Sequence, residues 1–179
     1  MDKHNEEFNW LRQFINTNKD NFATIREQDW KNRSRFLFGL RHEKGLGLDY
    51  GSGPLSMLEY SGLLFDAIDP LMDKYRTIQE LPENYYIDTD KTYNWVLCCN
   101  VLDHTDRPEL IIEDIKRKLK PGGKLYLEVN FDDTLGDCHF EIYNKERVNN
   151  LINLKRDYEV TDRIEKDHQT AYYARYTNS

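Results

Sequence analysis

Apolar positions fall into successive rhythms along the chain, and each predicts a different kind of element. Phe8, Leu11, Phe14 and Ile15 recur three and four residues apart, the spacing that gathers side chains on one face of a helix. The polar run "NTNKDN" interrupts that rhythm before Phe22, Ile25 and Trp30 resume it, so residues 1–42 read as a helical N-terminal cap. From Gly45 short apolar runs alternate with amphipathic ones: "LGLD", "LSMLEYSG", "LFDAID", "PLMDKY", then "YNWVLCCN", "ELIIEDIKRKL", "GKLYLEV" and "NKERVNNLINL". Strand and helix in turn predict an α/β fold of βαβ units around a mostly parallel sheet, occupying residues 43–179 as one compact unit. The tail departs from this. "YEVTDRIEKD" and "TAYYARYTN" are adjacent strand-like runs joined by a polar turn around His168, which predicts an antiparallel hairpin at the sheet edge.

Within this pattern the stretch "GLGLDYGSGPLSML", Gly45 to Leu58, concentrates glycine just after an acid. It reads as a strand ending at Asp49, a bend at Gly51 and Gly53, and a helix opened by Pro54. At such a helix N-terminus the first amides lack intrahelical partners and favour a carboxylate or phosphate. A dinucleotide and the amino-acid end of S-adenosylmethionine both suit that geometry. The dinucleotide fingerprint G-x-G-x-x-G wants a third glycine where Ser56 stands. Asp49 beside the bend instead suits a zwitterion, its carboxylate for an ammonium and the amides for a carboxylate. A second strand, "LFDAID", ends at Asp69, placed to accept from two ribose hydroxyls of either cofactor. Pro121, Gly122 and Gly123 turn the helix of "ELIIEDIKRKL" directly into a strand.

Composition narrows the class. With 39% hydrophobic and 32% charged residues in 179, the chain has the make-up of one globular domain. A net charge of −7 with acids and bases interleaved leaves no clear nucleic-acid face. No apolar run reaches membrane-spanning length, and "MDKHNEEFNW" lacks the apolar core of a secretory signal, so a cytoplasmic protein is expected. The three cysteines, two adjacent in "WVLCCN", form neither a disulfide framework nor a metal-ligand spacing; Cys98 and Cys99 read as small strand residues with reduced thiols.

Four motifs in order, "LDYGSG" at Leu48 to Gly53, "IDPLM" at Ile68 to Met72, "NVLDH" at Asn100 to His104 and "LKPGG" at Leu119 to Gly123, make the chain resemble the class I S-adenosylmethionine-dependent methyltransferases, in particular small domains of the type 11 group. The resemblance covers roughly residues 45 to 130, and the tail looks like the family's last helix and antiparallel pair. It implies a Rossmann-like, doubly wound seven-stranded sheet flanked by helices, with S-adenosyl-L-methionine as cofactor. By the same resemblance Asp49, Gly51 and Gly53 hold the methionine end, Asp69 the ribose, Leu71 and Met72 flank the adenine, and Asn100 lies beside the sulfonium. The chain departs from the family twice. Leu55 stands where a third glycine is common, and too few residues separate "YYID" from "YNWV" for a crossover helix. The third-strand region is therefore trimmed, with Asp88 and Asp90 the available partners for the adenine.

Methyl transfer needs an aligned nucleophile, plus a base where the acceptor must lose a proton. His104, at the mouth implied by the motif, is the first candidate base, and His139 in "GDCHFEIYN" a second. Asp103 with Asn130 to Asp133 offers oxygens for a divalent ion, although acidic loops are ordinarily just solvated, and no metal is expected. The polar-Pro-Pro-aromatic signature of exocyclic-amine enzymes is missing, as is a Pro-Cys dipeptide for attack on a pyrimidine ring. The expected acceptor is a small molecule or glycan, methylated on oxygen or nitrogen. A non-catalytic cofactor-binding module or partner subunit, and a nicotinamide-dependent oxidoreductase, are the alternatives.

Overall fold

The computed structural model describes residues 3–131, 142–164 and 169–179. Two helices, α1 (Lys3–Thr17) and α2 (Phe22–Arg33), precede the first strand, and the break between them falls on the polar run noted above. Seven strands follow: β1 (Gly47–Tyr50), β2 (Phe65–Ile68), β3 (Tyr85–Tyr86), β4 (Tyr93–Cys99), β5 (Leu119–Phe131), β6 (Lys155–Ile164) and β7 (Gln169–Thr177). Three further helices are α3 (Met72–Tyr75), α4 (Pro108–Lys118) and α5 (Lys145–Ile152). The strands form one sheet in the order β3-β2-β1-β4-β5-β7-β6. β1 to β5 are parallel neighbours; β7 runs antiparallel between β5 and β6. The expected hairpin is present, with β6 as the sheet edge; its turn, including His168, lies outside the described residues.

Successive residues of a strand point to opposite faces, and the core divides accordingly. Val96, Cys98, Leu125, Leu127 and Tyr172 pack with Ile112, Ile115, Val148 and Ile152 of α4 and α5. Trp95, Leu97, Tyr126 and Tyr173 pack on the other face with Trp30 of α2, Leu37, Leu40, Met57 and Tyr75. The cap is thus one of the two layers that cover the sheet. Gly47 is required by close approach, because a Cβ there would lie 2.1 Å from ring carbons of Trp95. Among the described residues no helix is long and apolar enough to cross a membrane.

Two elements differ from expectation or sharpen it. The helix expected after Pro54 is a single 3-10 turn, Met57–Tyr60. Its serines hold the backbone locally instead: Ser56 Oγ accepts from the Leu58 amide, Ser61 Oγ donates to the Leu58 carbonyl, and the Leu63 amide donates to Ser61 Oγ. Such bonds compete with helix propagation, and β2 follows within a few residues. The trimmed region is as expected: β3 has two residues, and 87–92 reach β4 without a helix.

Candidate functional site

Strand order reverses between β1 and β4, and ligands of open α/β sheets bind beyond the carboxyl ends of the strands at that point. Two cavities meet there. One, of about 490 Å³, lies under the cap between α1, α2 and the glycine bend. The other, of about 370 Å³, lies between the ends of β2, β3 and β4 and the start of α4. Gly51, Asp69, Asn100 and His104 line both.

The bend follows from backbone geometry. Gly51 and Gly53 have φ of 73° and 64°, where a side chain is strained. A Cβ at Gly51 would also lie 2.5 Å from Val101 Cγ2, whereas at Gly53 it would meet nothing within 4 Å, so the backbone there borders open space. The amides of this bend are not left without partners as expected of a helix N-terminus. Those of Gly51 and Ser52 donate to the Ile68 carbonyl, at 2.8 and 3.1 Å, and that of Gly53 donates to Asp69 Oδ2 at 3.0 Å. With no α-helix after Pro54, the bend is tied to the end of β2 instead.

Asp69 also accepts from the Leu71 amide through Oδ1 at 2.8 Å. Two backbone donors fix its plane. Asp49 is buried, and Ser56 Oγ donates to it, so the residue in the slot of the absent third glycine serves the site as a donor. Burial pushes the Asp49 carboxyl up to about 6, only partly opposed by the Ser56 bond. The folded chain therefore holds a proton here more tightly than the unfolded chain, and this group's contribution to stability improves as pH falls through 6. The opposite applies to a cationic ligand, which needs the ionised form. Its affinity is expected to be level above about pH 6 and to drop about tenfold per unit below it, a slope that Asp49→Asn abolishes in titration calorimetry.

Asn100 follows β4 in the left-handed region, φ 56°, a conformation asparagine tolerates better than most side chains. Its Oδ1 accepts from Asn130 Nδ2 at 2.7 Å, and its Nδ2 lies 3.5 Å from His104 Nε2. His104 sits in the 3-10 turn after β4 with Asp103 Oδ2 3.9 Å from Nε2. Leu71 borders the second cavity. Met72, implied to flank the adenine, is fully buried in the core instead, because the short α3 opens there and turns its side chain inward with Tyr75. Of the two acids proposed for the third-strand region, Asp88 lines the second cavity and Asp90 is exposed on the surface. His139, Asp132 and Asp133 lie outside the described residues, among which no cluster of three or more His, Cys, Asp or Glu suits a metal ion.

The charged residues on the face of α2 turned to the first cavity were missed by the sequence reading. Phe22, Ile25, Arg26, Asp29 and Arg33 share that face, apolar at one end and charged at the other. Arg26 Nε donates to the Leu55 carbonyl at 2.7 Å and Nη1 to Asp29 at 2.9 Å. Arg33 Nη1 donates to Glu128 Oε2 and to Cys99 Sγ, each at 2.9 Å, and the thiol donates to Glu128 at 2.6 Å. Glu128 is 1% exposed. The signal available in the sequence was the mixing of charge and apolar bulk at helical spacing on a single face.

Residues 22–174 match the model of a family described as a methyltransferase domain. No curated protein matches the chain. Among solved structures it is similar to the N-methyltransferase NodS of Bradyrhizobium japonicum WM9 in complex with S-adenosyl-L-homocysteine, at 16% identity over 83% of this chain and 86% of that one, TM-score 0.60. The PH0226 protein of Pyrococcus horikoshii OT3 aligns at 15% identity over 85% and 90%, TM-score 0.66. The Burkholderia thailandensis 1,6-didemethyltoxoflavin-N1-methyltransferase aligns at 13% identity over 97% and 89%, TM-score 0.64. A match that runs through all five parallel strands and into the cap places the chain in the methyltransferase-domain family, as a class I enzyme dependent on S-adenosyl-L-methionine.

Proposed function

We propose that this methyltransferase modifies a small molecule with an apolar body, held between the cap of residues 1–42 and the strand ends of the domain 43–179. The observation that carries the reading is the meeting of the two cavities at Gly51, Asp69, Asn100 and His104. The second takes the adenosine and the first takes the methionine end and, beyond it, the acceptor. Trp10, Leu11, Phe14, Phe22, Ile25 and Met57 line the acceptor side. A pocket of this size with aromatic walls suits a compact ligand better than an extended glycan. The free Cys98 and Cys99 fit a reducing, cytoplasmic setting.

The residues present fit the cofactor. Asp69 would hold the ribose hydroxyls, Asp88 the adenine amine, and the buried Asp49 the ammonium group. With the amides of the bend already bonded, the carboxylate falls to Arg26, which is fixed at the Leu55 carbonyl beside the bend and lines the same cavity. When bound, the sulfonium supplies an electrophilic methyl group. Asn100 and the cap would align the acceptor with it, and His104 would take the proton that the acceptor loses.

Titration with S-adenosyl-L-homocysteine tests the cofactor site, and a folded protein that fails to bind it would end the reading. Arg26→Gln is expected to weaken that ligand by about 10- to 100-fold, the worth of a charge-assisted bond, and to leave 5′-methylthioadenosine, which lacks the amino-acid end, unaffected. Radiolabelled methyl transfer into panels of aromatic hydroxyls and amines, set against oligosaccharides, discriminates the acceptor classes.

A further inference from the structure

The connection 87–92 should be the weakest wall of the second cavity, since it crosses from β3 to β4 without a helix to support it. Its support comes from the far side of the sheet order. Lys118, the last residue of α4, is 1% exposed. An ammonium is buried at large cost unless its donors are met. Here three oxygens surround it: Asp88 Oδ1 at 2.7 Å, the Thr89 carbonyl, and Asp114 Oδ2 at 3.5 Å. Asp114 in turn accepts from the Tyr50 hydroxyl at 3.1 Å, at the end of β1. Asp88 is anchored again by the Thr89 amide, at 2.7 Å, also through Oδ1. Both bonds fall on one oxygen, so Oδ2 is available to accept from a ligand at the cavity that Asp88, Tyr50 and Asp114 line.

We infer that Lys118 is a positioning residue for the nucleobase: by tying Asp88 and the 87–92 connection to α4, it fixes a carboxylate that selects a base bearing an exocyclic amine. The inference rests on the cofactor reading above. Lys118 itself touches no ligand. It does the work of the missing crossover helix with one side chain, and it makes base selection depend on an ion pair behind the pocket wall.

The test compares S-adenosyl-L-homocysteine with S-inosyl-L-homocysteine, whose base presents a carbonyl in place of the amine, by calorimetry on the full chain. The wild-type protein is expected to prefer the adenosyl ligand by about tenfold or more, since a site built to accept from an amine leaves its acceptor unpaired, or facing a carbonyl, with the analogue. Lys118→Met, similar in length and uncharged, is expected to lose most of that preference, as is Asp88→Asn, with no further loss in the double variant. A preference undiminished in Lys118→Met overturns the inference, whereas a merely structural role would weaken both ligands alike and overturns it too. Should Lys118→Met fail to fold, hydrogen exchange of the wild-type protein decides. Protection of the amides at 89–91 gained with the adenosyl ligand alone supports the inference, and equal protection by both overturns it. Failure of the wild-type protein to bind S-adenosyl-L-homocysteine removes the cofactor reading itself.

Discussion

Alanine at Asp69 is expected to weaken S-adenosyl-L-homocysteine binding by about 10²- to 10⁴-fold, the sum of two hydroxyl bonds to a charged acceptor at about 1.5–3 kcal/mol each. The structural part of the loss adds to the chemical part. The carboxylate is also the acceptor for the Gly53 and Leu71 amides, at 3.0 and 2.8 Å, so its removal loosens the bend from the end of β2. Asp69→Asn retains an acceptor oxygen and supplies a donor that a ribose hydroxyl can use, and it should fall between the two. Calorimetry on both variants, with circular dichroism to establish that each is folded, checks the assignment. A loss under about tenfold for alanine would remove Asp69 from the ribose.

The second large effect falls on the chemical step. His104→Ala should lower kcat by about 10²- to 10⁴-fold, the range for loss of a positioned general base, while leaving cofactor affinity close to the wild-type value. Single-turnover transfer of labelled methyl to the acceptor found by screening separates this from slow product release. An unchanged kcat would assign His104 to shaping the junction of the two cavities, a role its 3.5 Å approach to Asn100 already allows.

Much of the scaffold was legible because it is written in local periodicity and in short turns. The strands end within one residue of Asp49, Asp69 and Asn100, where apolar runs meet a polar residue, and the backbone angles at Gly51, Gly53 and Asn100 match the residue types found there. The antiparallel tail was legible for the same reason, as two strand-like runs with a polar break between them. The helix after Pro54 was misread because "LSMLEYSG" has helical apolar spacing, and the serine hydroxyls that capture the backbone act through bonds which periodicity does not report. Met72 was placed at the adenine by the "IDPLM" motif alone; it opens a helix of four residues and its side chain is buried in the core. Arg26, Asp29 and Arg33 were hidden by a sound rule. Charges on a cap helix are ordinarily solvated, and only the tertiary placement of α2 over the strand ends turns them inward. Lys118 was invisible likewise, since nothing in "KRKLK" distinguishes the buried lysine from its exposed neighbours.

The tether between α2 and the sheet makes that helix costly to move. Swinging that helix outward would strip Glu128 of its Arg33 partner, and orphaning a charge that is 1% exposed costs about 3–5 kcal/mol. At the other helix Trp10 stands 60% exposed and stacks on Phe14 at the rim of the first cavity. The cavity is thus walled by ring stacking on the side of the first helix and by a buried charge pair on the side of the second.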